Sequence, residues 1–178
     1  MNQHSPVSNK IKLAQQYAVE NFYGGLSCSE SIYEALLRSE LLSQDEAPYF
    51  TCAMCAGFGG GTGLSGNNCG VLSGAVMAVG AKHGRKDPRN DKPDGLYDVE
   101  YHRYNLLVKD FIEENGGVLC RELCREFIGD WNSAARKAAC AQILKKTVVI
   151  ACKYLNISAE EILSSPWGYN ITTASEAP

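Results

Sequence analysis

The chain has 178 residues, 45% of them hydrophobic, and a formal net charge of −3. This length fits one domain, and the hydrophobic content can build a core without disulfide bonds. The acidic balance, with a pI near 5.6, argues against a nucleic-acid-binding protein, because such proteins usually carry a basic patch.

The N-terminal residues 1–10 are polar and lack the basic and apolar regions of a secretory signal. The longest apolar run, at 71–81, contains glycine and serine and is too short to cross a bilayer. The sequence therefore predicts a cytoplasmic protein without membrane insertion and without a nucleic-acid partner.

Apolar residues at helical spacing predict a series of helices along the whole chain. Ser27 and Glu30 match the S-x-x-E of a capping box, which would place Cys28 in the first turn of a helix. The predicted helices cover 8–22, 28–40, 44–54, 69–83, 98–114, 118–128 and 132–155.

No segment alternates apolar and polar residues as a strand would, and no internal repeat is visible. The predicted fold class is all-α, a single-domain bundle of about six to seven helices over residues 1–178. Its core would span about 8–163, with polar tails at 1–7 and 170–178. The charged loop at 86–95 is the one plausible linker, but cysteines lie on both sides of it.

A glycine-rich loop at 57–66 precedes the predicted central helix. So much glycine predicts unusual backbone dihedral angles, or a close approach of the backbone to another group. Residues 61–66 match G-x-G-x-x-G, but no strand precedes them and no βαβ unit follows, which argues against a dinucleotide site.

Cysteine is the unusual residue of this chain. Eight cysteines are many for an ordinary core, and the hydrophobic content is too high for a disulfide scaffold. In a reducing compartment, clustered thiols more often bind metal or take part in redox chemistry. The eight are Cys28, Cys52, Cys55, Cys69, Cys120, Cys124, Cys140 and Cys152.

Spacing relates several of these thiols to one another. Cys120 and Cys124 are one helical turn apart, and Cys52-x-x-Cys55 is close enough to share a metal. Cys140 and Cys152 lie roughly 18 Å apart along one predicted helix, so they do not both ligate one small cluster. A packing role is the favoured interpretation for Cys152.

Cys28 and Cys69 lie at predicted helix N-termini. The free amides and the helix dipole there stabilise a thiolate, so we expect a lowered thiol pKa at both positions. The glycine loop beside Cys69 would let backbone amides approach an anionic centre.

The segment Cys69-Gly70-Val71-Leu72-Ser73-Gly74 after its glycine-rich loop resembles the CGAxxG signature of the C_GCAxxG_C_C family of redox-active proteins. By this resemblance, Cys28, Cys69, Cys120 and Cys140 correspond to the family's cysteines. The likeness runs from about 17 to 155. Val71 replaces the signature alanine, and Cys52, Cys55, Cys124 and Cys152 are additional.

The same region resembles the iron–sulfur domain of split-Soret cytochromes, which implies a cluster, with [2Fe–2S] favoured over [4Fe–4S], and a homodimer. No C-x-x-C-His motif is present, so the resemblance implies no haem.

The resulting hypothesis is an iron–sulfur protein for electron transfer or redox sensing, whose partner is a redox protein that the sequence does not identify. Whether it is an enzyme stays open. The expected ligands are Cys28, Cys69, Cys120 and Cys140, with Cys124, Cys52 and Cys55 as weaker candidates; Gly59, Gly60, Gly61 and Gly70 would wrap the cluster.

Two alternatives remain open. One is a metal-free thiol–disulfide oxidoreductase, in which Cys28 or Cys69 attacks and the Cys52–Cys55 pair resolves the mixed disulfide. The other is a structural zinc site closed by four thiolates.

Overall fold

The computed structural model describes residues 6–47, 51–87, 89 and 94–173. Over these residues the chain forms seven α-helices and no β-strand, which confirms the all-α prediction. The helices are α1 Pro6–Tyr23, α2 Cys28–Arg38, α3 Gly70–His83, α4 His102–Asn115, α5 Cys120–Leu123, α6 Ala134–Asn156 and α7 Ala159–Ser164. Two 3-10 helices, Cys52–Phe58 and Arg125–Phe127, and a π-helical segment, Leu96–Tyr101, complete the secondary structure.

Helix α6 is the centre of the bundle and packs against α1, α3 and α4, while α2 packs against α1 and α3. The helical spacing of apolar residues that predicts a helix at 132–155 corresponds to a buried stripe along α6, where Leu144, Val148, Ala151 and Leu155 are all fully buried. Within the described chain, none of the helices combines the length and the apolar character that a bilayer span requires.

Local capping starts α2 as the sequence predicts. The Ser27 amide donates to Glu30 Oε2 at 2.8 Å, and the Glu30 amide donates to Ser27 Oγ at 3.4 Å. This reciprocal pair satisfies two free amides of the first turn. The box makes Cys28 the first residue of α2.

Two predicted helices are wrong. In place of a helix at 44–54, residues 44–47 form a turn and Cys52–Phe58 is a 3-10 helix, with 48–50 outside the described residues. Pro48 in the sequence opposes a continuous helix there. The predicted helix at 118–128 is only α5 and the short 3-10 turn Arg125–Phe127, because the chain leaves the helical conformation at Cys124, where φ is −112° and ψ is 18°.

Helices α2 and α3 approach each other closely at Gly74. A Cβ on Gly74 would lie 2.5 Å from the Ser29 carbonyl oxygen and 2.6 Å from Ile32 Cγ2. The first neighbour is backbone, which cannot move without shifting α2. Gly80 in the same helix has more room, since its nearest atom would be the Tyr104 hydroxyl at 3.8 Å.

We therefore expect Gly74→Ala and Gly80→Ala to change stability in opposite directions. Gly74→Ala forces α2 and α3 apart and should lower the free energy of unfolding by about 2 kcal/mol. Gly80→Ala removes backbone freedom from the unfolded chain and should raise it by about 0.5 to 1 kcal/mol. Urea unfolding of the two variants beside the parent measures both. Equal effects would contradict the close packing of α2 on α3.

Candidate functional site

Backbone hydrogen bonds join the glycine loop 57–66 and its following residues to the segment that carries Cys120. The Cys69 amide donates to the Val118 carbonyl at 2.7 Å, and the Cys120 amide donates to the Asn67 carbonyl at 2.7 Å. These two bonds flank an isolated antiparallel bridge between Asn68 and Leu119. The pairing brings Cys69, at the start of α3, beside Cys120, at the start of α5.

Five thiols from four segments meet next to this bridge. Cys124 Sγ lies 3.8 Å from Cys140 Sγ, and the Cys120 thiol donates a hydrogen bond to Cys124. Cys28 and Cys69 lie close enough to interact electrostatically with each other and with Cys124. Each of the five is at most 8% exposed. The sequence prediction that Cys28, Cys69, Cys120 and Cys140 lie near one another agrees with this arrangement.

Cys124 is the electrostatic centre of the cluster. Hydrogen bonds donated by the Cys120 and Cys140 thiols hold the pKa of Cys124 well below its usual range, and the Arg136 charge adds to this effect. The same hydrogen bonds, together with burial, raise the pKa of Cys120 and of Cys140. One thiolate stabilised by two thiols is thus the charge state that this geometry favours.

The expected low pKa at Cys28 and Cys69 is wrong for the protein without metal. The Val71 and Leu72 amides lower the pKa of Cys69, but burial outweighs them and raises it to about 12. Burial likewise raises the pKa of Cys28, although the Gly60 amide opposes it. Both sulfurs do have amide donors, as the helix N-termini predict, but desolvation of the charge dominates.

Arg136 places a buried positive charge against the thiols. Its side chain lies in contact with Cys140, with Nη1 3.8 Å from Cys140 Sγ, and its Nε donates to the Trp131 carbonyl. The guanidinium also lies 4.3 Å from the centre of the Trp131 ring. It is 7% exposed and forms no salt bridge with a carboxylate of the described chain. Since an unpaired buried ion costs several kcal/mol, negative charge on the thiols is its compensation.

Of the four glycines predicted to wrap the cluster, Gly60 and Gly61 lie against its thiols, and Gly59 and Gly70 pack against other residues. The Gly60 amide faces Cys28, and a Cβ on Gly61 would lie 2.8 Å from Cys120 Cβ. Gly61 also has a φ of 73°, so both its conformation and its contact require glycine. Gly59 and Gly70 instead allow backbone to approach Ser27 and Phe58.

The remaining thiols make other contacts. The Cys55 thiol donates to Met77 Sδ at 3.7 Å, and burial raises the pKa of Cys55 to about 12. Cys52 is half-buried. Cys152 accepts from the Asn156 amide at 3.7 Å and is 4% exposed, which fits the packing role expected for it. In the described part of the chain, none of the side-chain hydrogen bonds of these three thiols reaches the five clustered thiols.

A surface cavity of about 340 Å³ opens beside the cluster, and Cys120 forms part of its wall. Leu64 and Ile128, which are 72% and 67% exposed, lie at this opening together with Arg121 and Trp131. Leu64 has a φ of 64°, a left-handed conformation that leucine rarely adopts. Cys120 is the one clustered thiol among the residues that line this cavity.

The donor set fits a thiophilic metal centre in its chemistry, since five buried thiols lie together beside the Arg136 guanidinium. Among the described residues, however, no three His, Cys, Asp or Glu side chains are arranged so that they could hold one metal ion. The present arrangement is a hydrogen-bonded thiol network.

The sequence interpretation missed Arg136 and placed Cys124 only among the weaker ligand candidates. Arg136 precedes Cys140 by one helical turn, so its proximity could have been found from the i, i+4 spacing in α6. The central position of Cys124 could not, because it depends on how α5 and α6 meet.

We expect the reduced, metal-free protein to retain a thiolate at about pH 6, where an ordinary thiol is protonated. Folding lowers the pKa of Cys124, so the thiolate absorbs in the folded protein and should disappear on unfolding. The stability that it contributes is present at and above the ordinary thiol pKa and declines as the pH falls toward the folded pKa. Ultraviolet thiolate absorbance of the folded and urea-unfolded protein measures it.

Cys124→Ser should remove the absorbance. The matched control is Cys152→Ser, which should keep it because burial raises the pKa of Cys152. Loss in both variants, or in neither, would contradict the assignment to Cys124.

The family model described as "Putative redox-active protein (C_GCAxxG_C_C)" matches residues 26–154, which include all five clustered cysteines. Comparison with curated proteins finds no match, and neither does comparison with solved structures. The match covers well over half of the chain and confirms the resemblance drawn from its cysteine and glycine pattern. The chain therefore belongs to the C_GCAxxG_C_C family of redox-active proteins.

Proposed function

We propose that this protein is an iron–sulfur redox protein that transfers electrons or senses redox state. The observation that carries the proposal is a cluster of five buried thiols, one of which contacts a buried arginine that has no carboxylate partner among the described residues. Thiolates are the ligands of iron–sulfur clusters, and a thiolate-ligated cluster is anionic, which matches a site that already holds positive charge.

The proposed ligands are Cys28, Cys69, Cys120 and Cys140, and the proposed cluster is of the [2Fe–2S] type. Bound there, the cluster would supply one-electron chemistry, and the chain would set its potential and access. Cys124, which lies between Cys120 and Cys140, is the alternative ligand to either neighbour. Cys52 and Cys55 receive no ligand role in this proposal.

The surrounding residues support an anionic centre in three ways. The Gly60 amide faces Cys28, and the Val71 and Leu72 amides face Cys69. Arg136 supplies a full positive charge at Cys140. Amides and a cation near the sulfurs stabilise the more reduced form, which raises the reduction potential.

A second candidate function is favoured by one contact, the 3.8 Å distance between Cys124 Sγ and Cys140 Sγ. In a metal-free thiol–disulfide oxidoreductase, this pair would reduce the disulfide of a partner protein. The Cys124 thiolate would attack one sulfur of that disulfide and release the other as a thiol. Cys140 would then lose its proton and attack Cys124 Sγ, which forms the Cys124–Cys140 disulfide and releases the partner's remaining sulfur to take up the proton. The two thiols lose two electrons and two protons, which the partner gains.

We expect protein purified anaerobically to contain iron and acid-labile sulfide and to absorb in the visible range. Cys69→Ser and Cys120→Ser should lose both, because each removes a proposed ligand. Cys152→Ser is the matched control, since Cys152 is equally buried but contacts Asn156 instead of the cluster. Iron and sulfide assays beside the visible spectrum measure the result.

Colourless protein without iron after anaerobic purification, and after reconstitution with iron and sulfide, would contradict the cluster. Zinc in its place would identify a structural metal site. Metal-free protein that forms a reversible Cys124–Cys140 disulfide would support the second candidate.

Arg136→Met should lower the reduction potential of the cluster, because loss of a buried positive charge destabilises the more negative reduced form. We expect a shift of roughly several tens of millivolts. Arg136→Lys keeps the charge and should shift the potential less. Spectroelectrochemical titration of the three proteins measures the shifts, and equal potentials would contradict a role for Arg136 in tuning.

A further inference from the structure

A second cleft lies on a different part of the surface from the cysteines. It has a volume of about 950 Å³ and is formed by the π-helical segment Leu96–Tyr101, by α4 and by the chain after α7. Four aromatic side chains line it and remain 39% to 53% exposed: Tyr97, Tyr101, Trp167 and Tyr169. So many large aromatic surfaces left open at one place indicate a ligand site rather than packing.

The π-helical segment presents one wall of this cleft. Tyr97 and Tyr101 are one turn apart there, and their ring centres are 4.6 Å apart with the planes inclined at 51°. A π-helical turn costs stability relative to an α-helix and occurs most often at functional sites. This turn exposes two neighbouring tyrosine rings on the same side.

Asn105 of α4 fixes the opposite wall. Its Nδ2 donates to the Tyr169 carbonyl at 2.7 Å, and its Oδ1 accepts from the Gly168 amide at 2.8 Å. Trp167 is held as well, because its ring stacks on the buried His102 ring at 4.1 Å with the planes 2° apart. The Trp167 ring and the backbone of Gly168 and Tyr169 are therefore held in place before any ligand binds.

The charge of the cleft selects the kind of ligand. Asp98 is the one charged residue among those that line it, and it forms no salt bridge in the described chain. The faces of aromatic rings carry negative potential and attract cations, most strongly when water is excluded. The net charge of −3 adds to the attraction.

We propose that the cleft lined by Tyr97, Tyr101, Trp167 and Tyr169 binds an organic cation of the quaternary ammonium or alkylated amine class. The rings contact the alkyl groups and the cation, and Asp98 neutralises the charge. An inorganic cation would find one carboxylate and no ligand cage, while a neutral apolar ligand would leave Asp98 without a partner. This site is independent of the proposed iron–sulfur function.

Choline is a suitable probe, and 3,3-dimethyl-1-butanol is its neutral counterpart of nearly the same shape. We expect isothermal titration calorimetry to detect saturable binding of choline to the full chain and much weaker binding of the neutral alcohol. Tyr101→Leu and Asp98→Asn should each weaken choline binding roughly three- to tenfold. Tyr101→Phe keeps the ring face and should bind like the parent.

Tyr23→Leu is the control for nonspecific binding, since Tyr23 is 52% exposed on α1 and does not line the cleft. Quenching of Trp167 fluorescence in a Trp131→Phe background, with the fold checked by circular dichroism, locates the bound choline. The proposal is overturned by absence of saturable choline binding, by equal binding of the neutral alcohol, or by equal losses in Tyr101→Leu and Tyr23→Leu. None of these readouts depends on iron in the protein.

Discussion

The backbone pairing between the glycine loop and the Cys120 segment is the constraint on which the thiol cluster depends. Two hydrogen bonds of 2.7 Å join Cys69 to Val118 and Cys120 to Asn67, and they set the distance between α3 and α5. Gly61 lets the loop pass against Cys120 where a side chain would clash. The pairing ties Cys120 and Cys124 to Cys69, while the packing of α6 on α3 places Cys140.

Burial and neighbouring charges then determine which charge states of the clustered thiols are stable. Burial opposes charge on every one of the five thiols, and only Cys124 escapes because two neighbouring thiols donate to it. Burial also opposes the positive charge of Arg136, and no carboxylate in the described part of the chain pairs with it. A buried cation beside buried thiols is stable when negative charge is delocalised over several sulfurs, which is the property of a thiolate-ligated centre.

The sequence predicted the features that depend on neighbouring residues. The capping box at Ser27, the stripe along α6 and the helix positions of Cys28 and Cys69 follow from spacing of a few residues. It failed where the tertiary structure departs from local preference. The helix predicted at 118–128 is interrupted at Cys124, whose φ of −112° and ψ of 18° lie outside the helical region. The thiol pKa values of Cys28 and Cys69 rise because the fold buries them. The position of a residue in a helix does not reveal how deeply the fold buries it.

The order of the clustered cysteines along the chain has a consequence for biosynthesis. Cys28 and Cys69 come before Leu119, the second partner of the bridge, whereas Cys120, Cys124 and Cys140 follow it. The complete donor set therefore exists only after the chain through α6 has left the ribosome and α6 has packed on α1, α3 and α4. Any centre that needs all four segments must be inserted after translation has passed α6. Its insertion would join segments that are distant in the unfolded chain.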